Sequence, residues 1–173
     1  GQWRPANSTA SFQADNPTTC QPLADEYPVS TWEDCEAALA AAASAFCDMQ
    51  KLTGDQIGKF LEEYADRIEA RKDDLVAMAN QETALPVAPR LADVELPRTT
   101  NQLRLAAKAA RDGSWKNVTI DTASGIRSCL GAIGPVCVFG PNNFPFAFGS
   151  ISGGDFAAAI AAGNPVIAKA NSS

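Results

Sequence analysis

The sequence contains no histidine, and none of its five cysteines forms a CxxC pair. The missing histidine removes the usual general base of Ser/His and Cys/His mechanisms. It also makes a metal site unexpected, and an odd number of widely spaced cysteines does not indicate a disulfide framework. We therefore expect reduced thiols in a cytoplasmic protein, mostly as small buried apolar groups.

Basic clusters and uninterrupted apolar runs are also missing. The net charge is −6, and such a surface does not attract nucleic acid or an anionic membrane. Glycine, asparagine and proline interrupt the most apolar stretch, residues 144–170, so no membrane-spanning segment is predicted. A composition of 46% hydrophobic and 20% charged residues is that of a globular domain. Its expected partner is a small molecule or another protein.

The first part of the chain is predicted to be an arm followed by helices. Residues 1–29 show no sustained periodicity and suggest an extended arm laid over the body. A helix is predicted to begin at Ser30, with Glu33 completing a capping box. A second box, Thr53 with Gln56, predicts the start of an amphipathic helix.

Two further helices and a hairpin are predicted to follow. The helices cover roughly residues 72–81 and 92–111, and Pro97 is expected to kink or restart the second of them. Gly113 is expected to end it. Residues 118–130 then read as a short β-hairpin around a Ser-Gly turn.

The last part of the chain is predicted to be a strand–helix–strand unit. Residues 132–140 and 165–169 are apolar and β-branched, as in parallel strands of a sheet covered on both faces. A helix of about residues 151–162 connects them. One such unit cannot form a doubly wound sheet, and the sequence ends at Ser173. We therefore expect it to be part of a larger α/β protein.

Ligands of open α/β sheets bind beyond the carboxyl ends of the parallel strands. Here those ends carry the loops GPNNFPF (residues 140–146) and KANSS (residues 169–173), and neither is a GxxxxGK[ST] or GxGxxG phosphate loop. Taken alone, Asn142 and Asn143 are more readily a turn than a site. Lys169, taken alone, is a strand-end charge that reaches water.

The strings GPVCVFGPNNFPFAF and GGDFAAAIAAGNPVIAKANSS together resemble the aldehyde dehydrogenase superfamily. The subgroup they resemble most oxidises α-ketoglutarate semialdehyde, also called 2,5-dioxovalerate. The resemblance extends back through residues 30–35 and 98–104, so it spans nearly the whole chain.

The resemblance implies an α/β fold, namely the N-terminal half of a Rossmann-like cofactor-binding domain. Residues 1–113 would be its arm and helical part. Residues 114–132 would be an oligomerisation hairpin, and residues 133–173 the first βαβ unit. The catalytic domain would be absent from this sequence.

The resemblance also assigns roles to the two loops. Asn143 would belong to the oxyanion hole, its side-chain amide donating to the aldehyde oxygen while a cysteine thiolate attacks. Lys169 would hydrogen-bond the adenosine ribose hydroxyls. Gly140, Pro141 and Asn142 would line the cofactor cleft, largely through backbone and contact area.

Ser172 differs from the pattern of many aldehyde dehydrogenases at a position that bears on the choice between NAD and NADP. It stands three residues after Lys169, where NAD-preferring relatives often carry a glutamate. A carboxylate there would repel a 2′-phosphate, so the serine permits NADP, with NAD also possible. The alternative is an ordinary loop serine. None of the five cysteines matches the family nucleophile, and that cysteine and the water-activating glutamate are expected beyond this sequence.

The implied function is NADP-dependent oxidation of an aldehyde, α-ketoglutarate semialdehyde, to 2-oxoglutarate. The complete enzyme would be a homo-oligomer, a dimer or a tetramer, and this chain alone would be inactive. Two alternatives stay open. One is an aldehyde dehydrogenase for another substrate, such as a long-chain aldehyde, using NAD as well. The other is a non-catalytic module that binds nucleotide or docks onto a partner.

Overall fold

A computed structural model describes residues 3–171. The helices are α1 (Trp32–Met49), α2 (Gly54–Ala70), α3 (Lys72–Thr83), α4 (Leu96–Asp112) and α5 (Gly154–Ala161). The strands are β1 (Ser11–Asn16), β2 (Gln21–Pro28), β3 (Thr119–Asp121), β4 (Ile126–Ser128), β5 (Val136–Phe139) and β6 (Val166–Lys169). A π-helical segment, Val87–Glu95, precedes α4, and a 3-10 turn, Ser114–Lys116, follows it.

The core lies where α2 crosses α4. Leu61 of α2 and Leu103 of α4 are fully buried there, and Ala157 of α5 packs against the same cluster. The two helices can approach closely because Gly54 has no side chain. A Cβ at this position would lie 2.2 Å from the carbonyl oxygen of Ala110. This helical body supports the parallel strands through α5.

The helix starts and stops were predicted with mixed success. The Thr53–Gln56 capping box is confirmed: Gln56 N–H donates to the Thr53 hydroxyl at 3.2 Å, and Thr53 N–H donates back to the Gln56 side chain at 2.8 Å. Gly113 ends α4 with φ of 68°, a conformation that glycine adopts without strain. Pro97 lies in the first turn of α4, which it restarts after the π-helical segment.

The predicted start of α1 at Ser30 is wrong by one residue. Thr31 is the N-cap, and the Asp34 carboxylate accepts the Thr31 backbone N–H at 3.4 Å. The same carboxylate accepts the backbone and side-chain N–H groups of Asn7, at 2.9 and 3.2 Å. These contacts favour Asp34 over Glu33 as the third helical residue.

The N-terminal arm is a β-hairpin, which the sequence analysis missed. β1 and β2 pair antiparallel, and the Phe12 and Tyr27 rings lie 5.5 Å apart. Asn16 closes the turn by accepting the Thr18 N–H at 2.9 Å, as asparagine does in an Asx turn. The alternating exposure of β1 is the period-2 pattern of a half-covered strand.

The strand–helix–strand prediction is confirmed in type, with shorter elements. β5 and β6 pair in parallel. β5 begins only at Val136 because the N–H groups of Ile133 and Gly134 donate to the Asn164 side chain, at 2.7 and 3.0 Å, instead of to a strand. α5 begins only at Gly154 because the preceding residues form turns. The short hairpin β3–β4 is likewise confirmed.

Two expectations about burial are wrong. The sheet is not covered on both faces, since Cys137 is exposed and the Phe139 side chain is 70% exposed. All five cysteines are exposed rather than buried. Within residues 3–171 the two parallel strands contact mainly α1 and α5, which leaves Cys137 and Phe139 exposed.

Candidate functional site

The carboxyl ends of the parallel strands lie side by side. Phe139 ends β5, and its partner across the ladder is Lys169, which ends β6. Beyond the strands, the Asn171 side chain donates to the Gly140 carbonyl oxygen at 2.9 Å. The two loops expected to form a site therefore meet at one edge of the sheet.

Residues 140–153, here called the asparagine loop, form a compact series of turns. The Phe148 N–H donates to the Phe144 carbonyl oxygen at 3.1 Å. A Cβ on Gly149 would lie 2.4 Å from the Pro145 carbonyl oxygen, so only glycine fits there without displacing the chain. The loop thus has a defined shape instead of a mobile one.

A buried carboxylate anchors this loop from the inside. Glu95, the last residue of the π-helical segment, is 1% exposed. Its Oε1 accepts the backbone N–H groups of Phe146 at 2.9 Å and Ala147 at 3.0 Å. Its Oε2 is paired with the Arg90 guanidinium. A buried charge is costly unless it is paired and hydrogen-bonded, and here both conditions are met.

Arg90 extends this anchor to Asn143. Its Nη2 donates to the Asn143 backbone carbonyl oxygen at 2.9 Å. Its Cζ lies 4.3 Å from the centre of the Phe144 ring, a favourable cation–π distance. The Phe144 ring also meets the Phe148 ring edge to face, with 5.1 Å between centroids. The Asn143–Phe144 segment is therefore held from two directions.

Neither Arg90 nor Glu95 was predicted from the sequence to be a functional residue. The signal for Glu95 was present: it lies four residues after Leu91 and four before Thr99, and both of these are fully buried. A carboxylate on the buried face of a helical run requires a partner inside the protein. For Arg90 we find no comparable signal in the sequence.

Asn143 itself combines a fixed backbone with an available side chain. The residue is exposed, and its carboxamide makes no hydrogen bond within the part of the chain that the structure describes. A side-chain amide held in this way can donate a hydrogen bond to an oxygen of a ligand. Asn143 lies with Asn142 in a cleft of about 480 Å³ beside β1 and the end of α3.

A neighbouring cleft of about 460 Å³ lies between the N-terminal hairpin and the asparagine loop. Three residues predicted to contact the cofactor line it together: Gly140, Pro141 and Asn142. Tyr27 and Glu82 line it as well.

The electrostatics of this neighbouring cleft are acidic. Burial raises the pKa of Glu82, and the nearby Asp25 raises it further. The pKa of Tyr27 is also raised, first by burial and then by Glu82 and Asp25. Glu82 is the acidic side chain among the residues that line this cleft, and a carboxylate there is unfavourable for a pyrophosphate.

Lys169 lies on the other side of the same edge. Ala168 lines the acidic cleft, and successive strand residues point to opposite faces. Lys169 therefore shares the opposite face with its ladder partner Phe139. The structure brings Gly140, Pro141 and Asn142 together but places Lys169 on the other face of the sheet, and Ser172 lies outside the described residues.

Within residues 3–171 we find no group of three His, Cys, Asp or Glu side chains that could hold a metal ion. Over the same range, no helix is long and apolar enough to cross a membrane.

A parallel strand–helix–strand unit on a helical body, with a polar loop at the carboxyl edge, is an α/β arrangement, and ligands of such sheets bind at that edge. The sequence profile of the aldehyde dehydrogenase family matches residues 3–173, and the chain belongs to that family.

Individual relatives agree with this assignment. The chain is 41% identical, over 96% of its length, to alpha-ketoglutaric semialdehyde dehydrogenase 2 of Azospirillum brasilense. It is 39% identical, over 98% of its length, to the alpha-ketoglutaric semialdehyde dehydrogenase of Acinetobacter baylyi. It spans 33% of the length of each of these relatives. The solved structure of PnpE in complex with nicotinamide adenine dinucleotide aligns with a TM-score of 0.82 at 25% identity, covering 97% of this chain and 34% of that one.

Proposed function

We propose that this chain is the N-terminal part of an NAD(P)-dependent aldehyde dehydrogenase that oxidises α-ketoglutarate semialdehyde to 2-oxoglutarate. One observation carries the proposal: an exposed asparagine amide on a fixed backbone at the carboxyl edge of a parallel strand pair. The names of the two relatives at 41% and 39% identity support the substrate.

Asn143 is proposed to stabilise charge in the first chemical step. When a cysteine thiolate attacks the aldehyde carbon, negative charge collects on the carbonyl oxygen. The Asn143 amide donates to that oxygen, and one such donor is typically worth about 3 kcal/mol. A bound nicotinamide supplies the hydride acceptor, and hydrolysis of the thioester then releases the acid.

The attacking cysteine is proposed to come from outside this sequence. In the described part of the chain, none of the five cysteines lines either cleft next to the asparagine loop. The glutamate that activates water is assigned to the same external part. Residues 1–113 would then be the helical part of the cofactor domain, and residues 133–173 its first βαβ unit.

The cofactor is proposed to bind on the Lys169 face of the sheet edge. That face carries an exposed ammonium, which can donate to ribose hydroxyls, and it lies away from the acidic cleft. Gly140, Pro141 and Asn142 line the cleft on the opposite face, so their proposed contact with the cofactor is limited to the backbone at the end of β5, where the two faces meet. Ser172 in place of a glutamate leaves room for a 2′-phosphate, so we propose NADP with NAD as a second cofactor.

Residues 114–132 are proposed to join subunits into a homo-oligomer. β3 and β4 pair only with each other within the described residues. The hairpin exposes large apolar side chains, with Val118 67%, Ile120 59% and Ile126 63% exposed. An exposed strand edge with apolar side chains favours pairing with another chain.

The substrate proposal is tested with the full-length protein. We expect formation of reduced cofactor with α-ketoglutarate semialdehyde, and a higher kcat/KM for it than for a long-chain aldehyde. The reverse order would favour the alternative substrate. No reduced cofactor with either aldehyde would contradict the proposed enzyme and favour a non-catalytic module.

The cofactor proposal has its own pair of variants. Ser172→Glu is expected to shift the preference toward NAD, because a carboxylate about 4 Å from a 2′-phosphate repels it by about 1 to 4 kcal/mol. The matched control, Ser172→Ala, introduces no charge and should keep the wild-type ratio. An unchanged ratio of NADP to NAD efficiency in Ser172→Glu would contradict the proposal.

A further inference from the structure

Arg90 and Glu95 bind the asparagine loop at Asn143 itself and at the residues that follow it. We propose that these two residues are positioning residues: they orient the Asn143 amide toward the substrate oxygen. This inference rests on the proposed function, because it assigns them no role apart from Asn143. Neither is proposed to touch the substrate.

Glu95 fixes the chain just after Asn143. Its carboxylate accepts two consecutive backbone N–H groups, those of Phe146 and Ala147. Ala147 is fully buried, and Glu95 itself is 1% exposed, so water cannot replace this acceptor. The downstream end of the turn is therefore anchored to the helical body.

Arg90 fixes the peptide of Asn143 itself. A single guanidinium pairs with Glu95, donates to the Asn143 carbonyl oxygen and stacks on the Phe144 ring. The carbonyl that Arg90 holds belongs to the peptide that follows the Asn143 Cα. Fixing that peptide and the next ring leaves mainly the Asn143 side-chain torsions free.

These contacts require arginine rather than any cation. The planar guanidinium presents several donors in a fixed geometry and a flat face for an aromatic ring. A lysine at this position keeps the charge opposite Glu95 but lacks the planar face and the fixed fork of donors. Arg90→Lys therefore separates charge compensation from orientation.

The test is a double-mutant cycle in the full-length protein, with the acylation rate measured by rapid mixing. Arg90→Lys is expected to slow acylation about 10- to 100-fold, the scale of a displacement of about 1 Å. Asn143→Ala is expected to slow it about 10²- to 10³-fold. In the Asn143→Ala background, Arg90→Lys should add less than about threefold, because the group it orients is gone.

Arg104→Lys is the matched control. Arg104 also binds carboxylates, those of Asp66 at 2.8 Å and Glu69 at 2.6 Å, but it does so on the surface between α2 and α4. It should leave acylation within about twofold of wild type. Glu95→Gln, which keeps one oxygen for the two N–H groups, provides a second variant of the anchor, with thermal unfolding measured alongside.

Three outcomes would overturn the inference. The first is additive effects of Arg90→Lys and Asn143→Ala, and the second is a loss in Arg90→Lys no greater than that in Arg104→Lys. The third is wild-type acylation by a folded Glu95→Ala variant, which has no side-chain acceptor for the two N–H groups; Glu95→Gln, which keeps the acceptor, should lose less. A failure of the proposed function gives a different result. The single variant Asn143→Ala would then acylate at the wild-type rate.

Discussion

Replacing Glu95 should destabilise the protein more than any other single carboxylate change we consider. Glu95→Ala removes the acceptor of two backbone N–H groups and leaves the Arg90 guanidinium, whose side chain is 25% exposed, without its partner. Breaking a buried pair by removing one member costs about 3–5 kcal/mol. An unsatisfied buried donor costs about 1–3 kcal/mol, so the loss of two N–H partners corresponds to about 2–6 kcal/mol, which includes the whole of this range.

Glu95→Gln divides this effect into two parts. The carboxamide oxygen can still accept both N–H groups, while the ion pair with Arg90 is lost. We expect about half the loss found for Glu95→Ala, on the order of 2 kcal/mol. The difference between the two variants measures the hydrogen bonds to the asparagine loop.

The assay is urea unfolding at pH 7, read as the free energy of unfolding with the slope m compared between variants. The control is Glu63→Ala, because Glu63 is 58% exposed and only 3.7 Å from Lys59 in an ordinary helical pair. That change should cost less than about 0.5 kcal/mol. A Glu95→Ala protein within 1 kcal/mol of wild type would refute the structural role of the buried carboxylate.

Three further predictions concern the rest of the fold. Gly54→Ala should lower the free energy of unfolding by about 1–3 kcal/mol, since its Cβ would meet a backbone carbonyl of α4 at 2.2 Å. Gly131→Ala is the control: Gly131 has open space around it, so this change should be nearly neutral in the same assay. The hydrogen bond from Arg104 lowers the pKa of Glu69 to about 2. The pair therefore stabilises the fold above the ordinary glutamate pKa and loses this contribution as the pH falls toward 2. The difference in unfolding free energy between wild type and Glu69→Gln, below about 1 kcal/mol at this exposed site, should vanish in acid. Ile126→Asp, on the hairpin β3–β4, should shift the full-length protein toward a smaller species in sedimentation; an unchanged mass would contradict the assembly role.

Local signals made part of the fold predictable. The Thr53–Gln56 capping box is complete within four residues, and Gly113 acts as a C-cap through its own φ. The parallel strands were predictable because β-branched apolar segments flank a helix of suitable length. For the capping box and for Gly113 the determining interaction lies within a few residues along the chain, whereas the strands pair across thirty positions.

Other features depend on contacts between distant residues. The N-cap of α1 is Thr31 instead of the predicted Ser30. The Asp34 carboxylate of this cap binds Asn7, which is distant along the chain. The anchor of the asparagine loop joins Glu95 to residues 146 and 147, more than fifty positions away. Residues 1–29 show no sustained periodicity in the sequence, and the antiparallel pairing of β1 with β2 was not predicted.

The orientation of Lys169 was also beyond the sequence. Its position at the end of β6 followed from the strand pattern. The face of the sheet on which its side chain lies depends on the register of β6 with β5, because successive side chains alternate between faces. The clefts depend in addition on how the N-terminal hairpin lies over the asparagine loop.

The role proposed for the Asn143 amide, to stabilise the developing oxyanion, can be measured in a single turnover. The full-length protein and its Asn143→Ala variant are saturated with cofactor and mixed rapidly with α-ketoglutarate semialdehyde, and the first formation of reduced cofactor is followed. We expect acylation about 10²- to 10³-fold slower in the variant, with cofactor affinity almost unchanged. Equal acylation rates in the two proteins would contradict it.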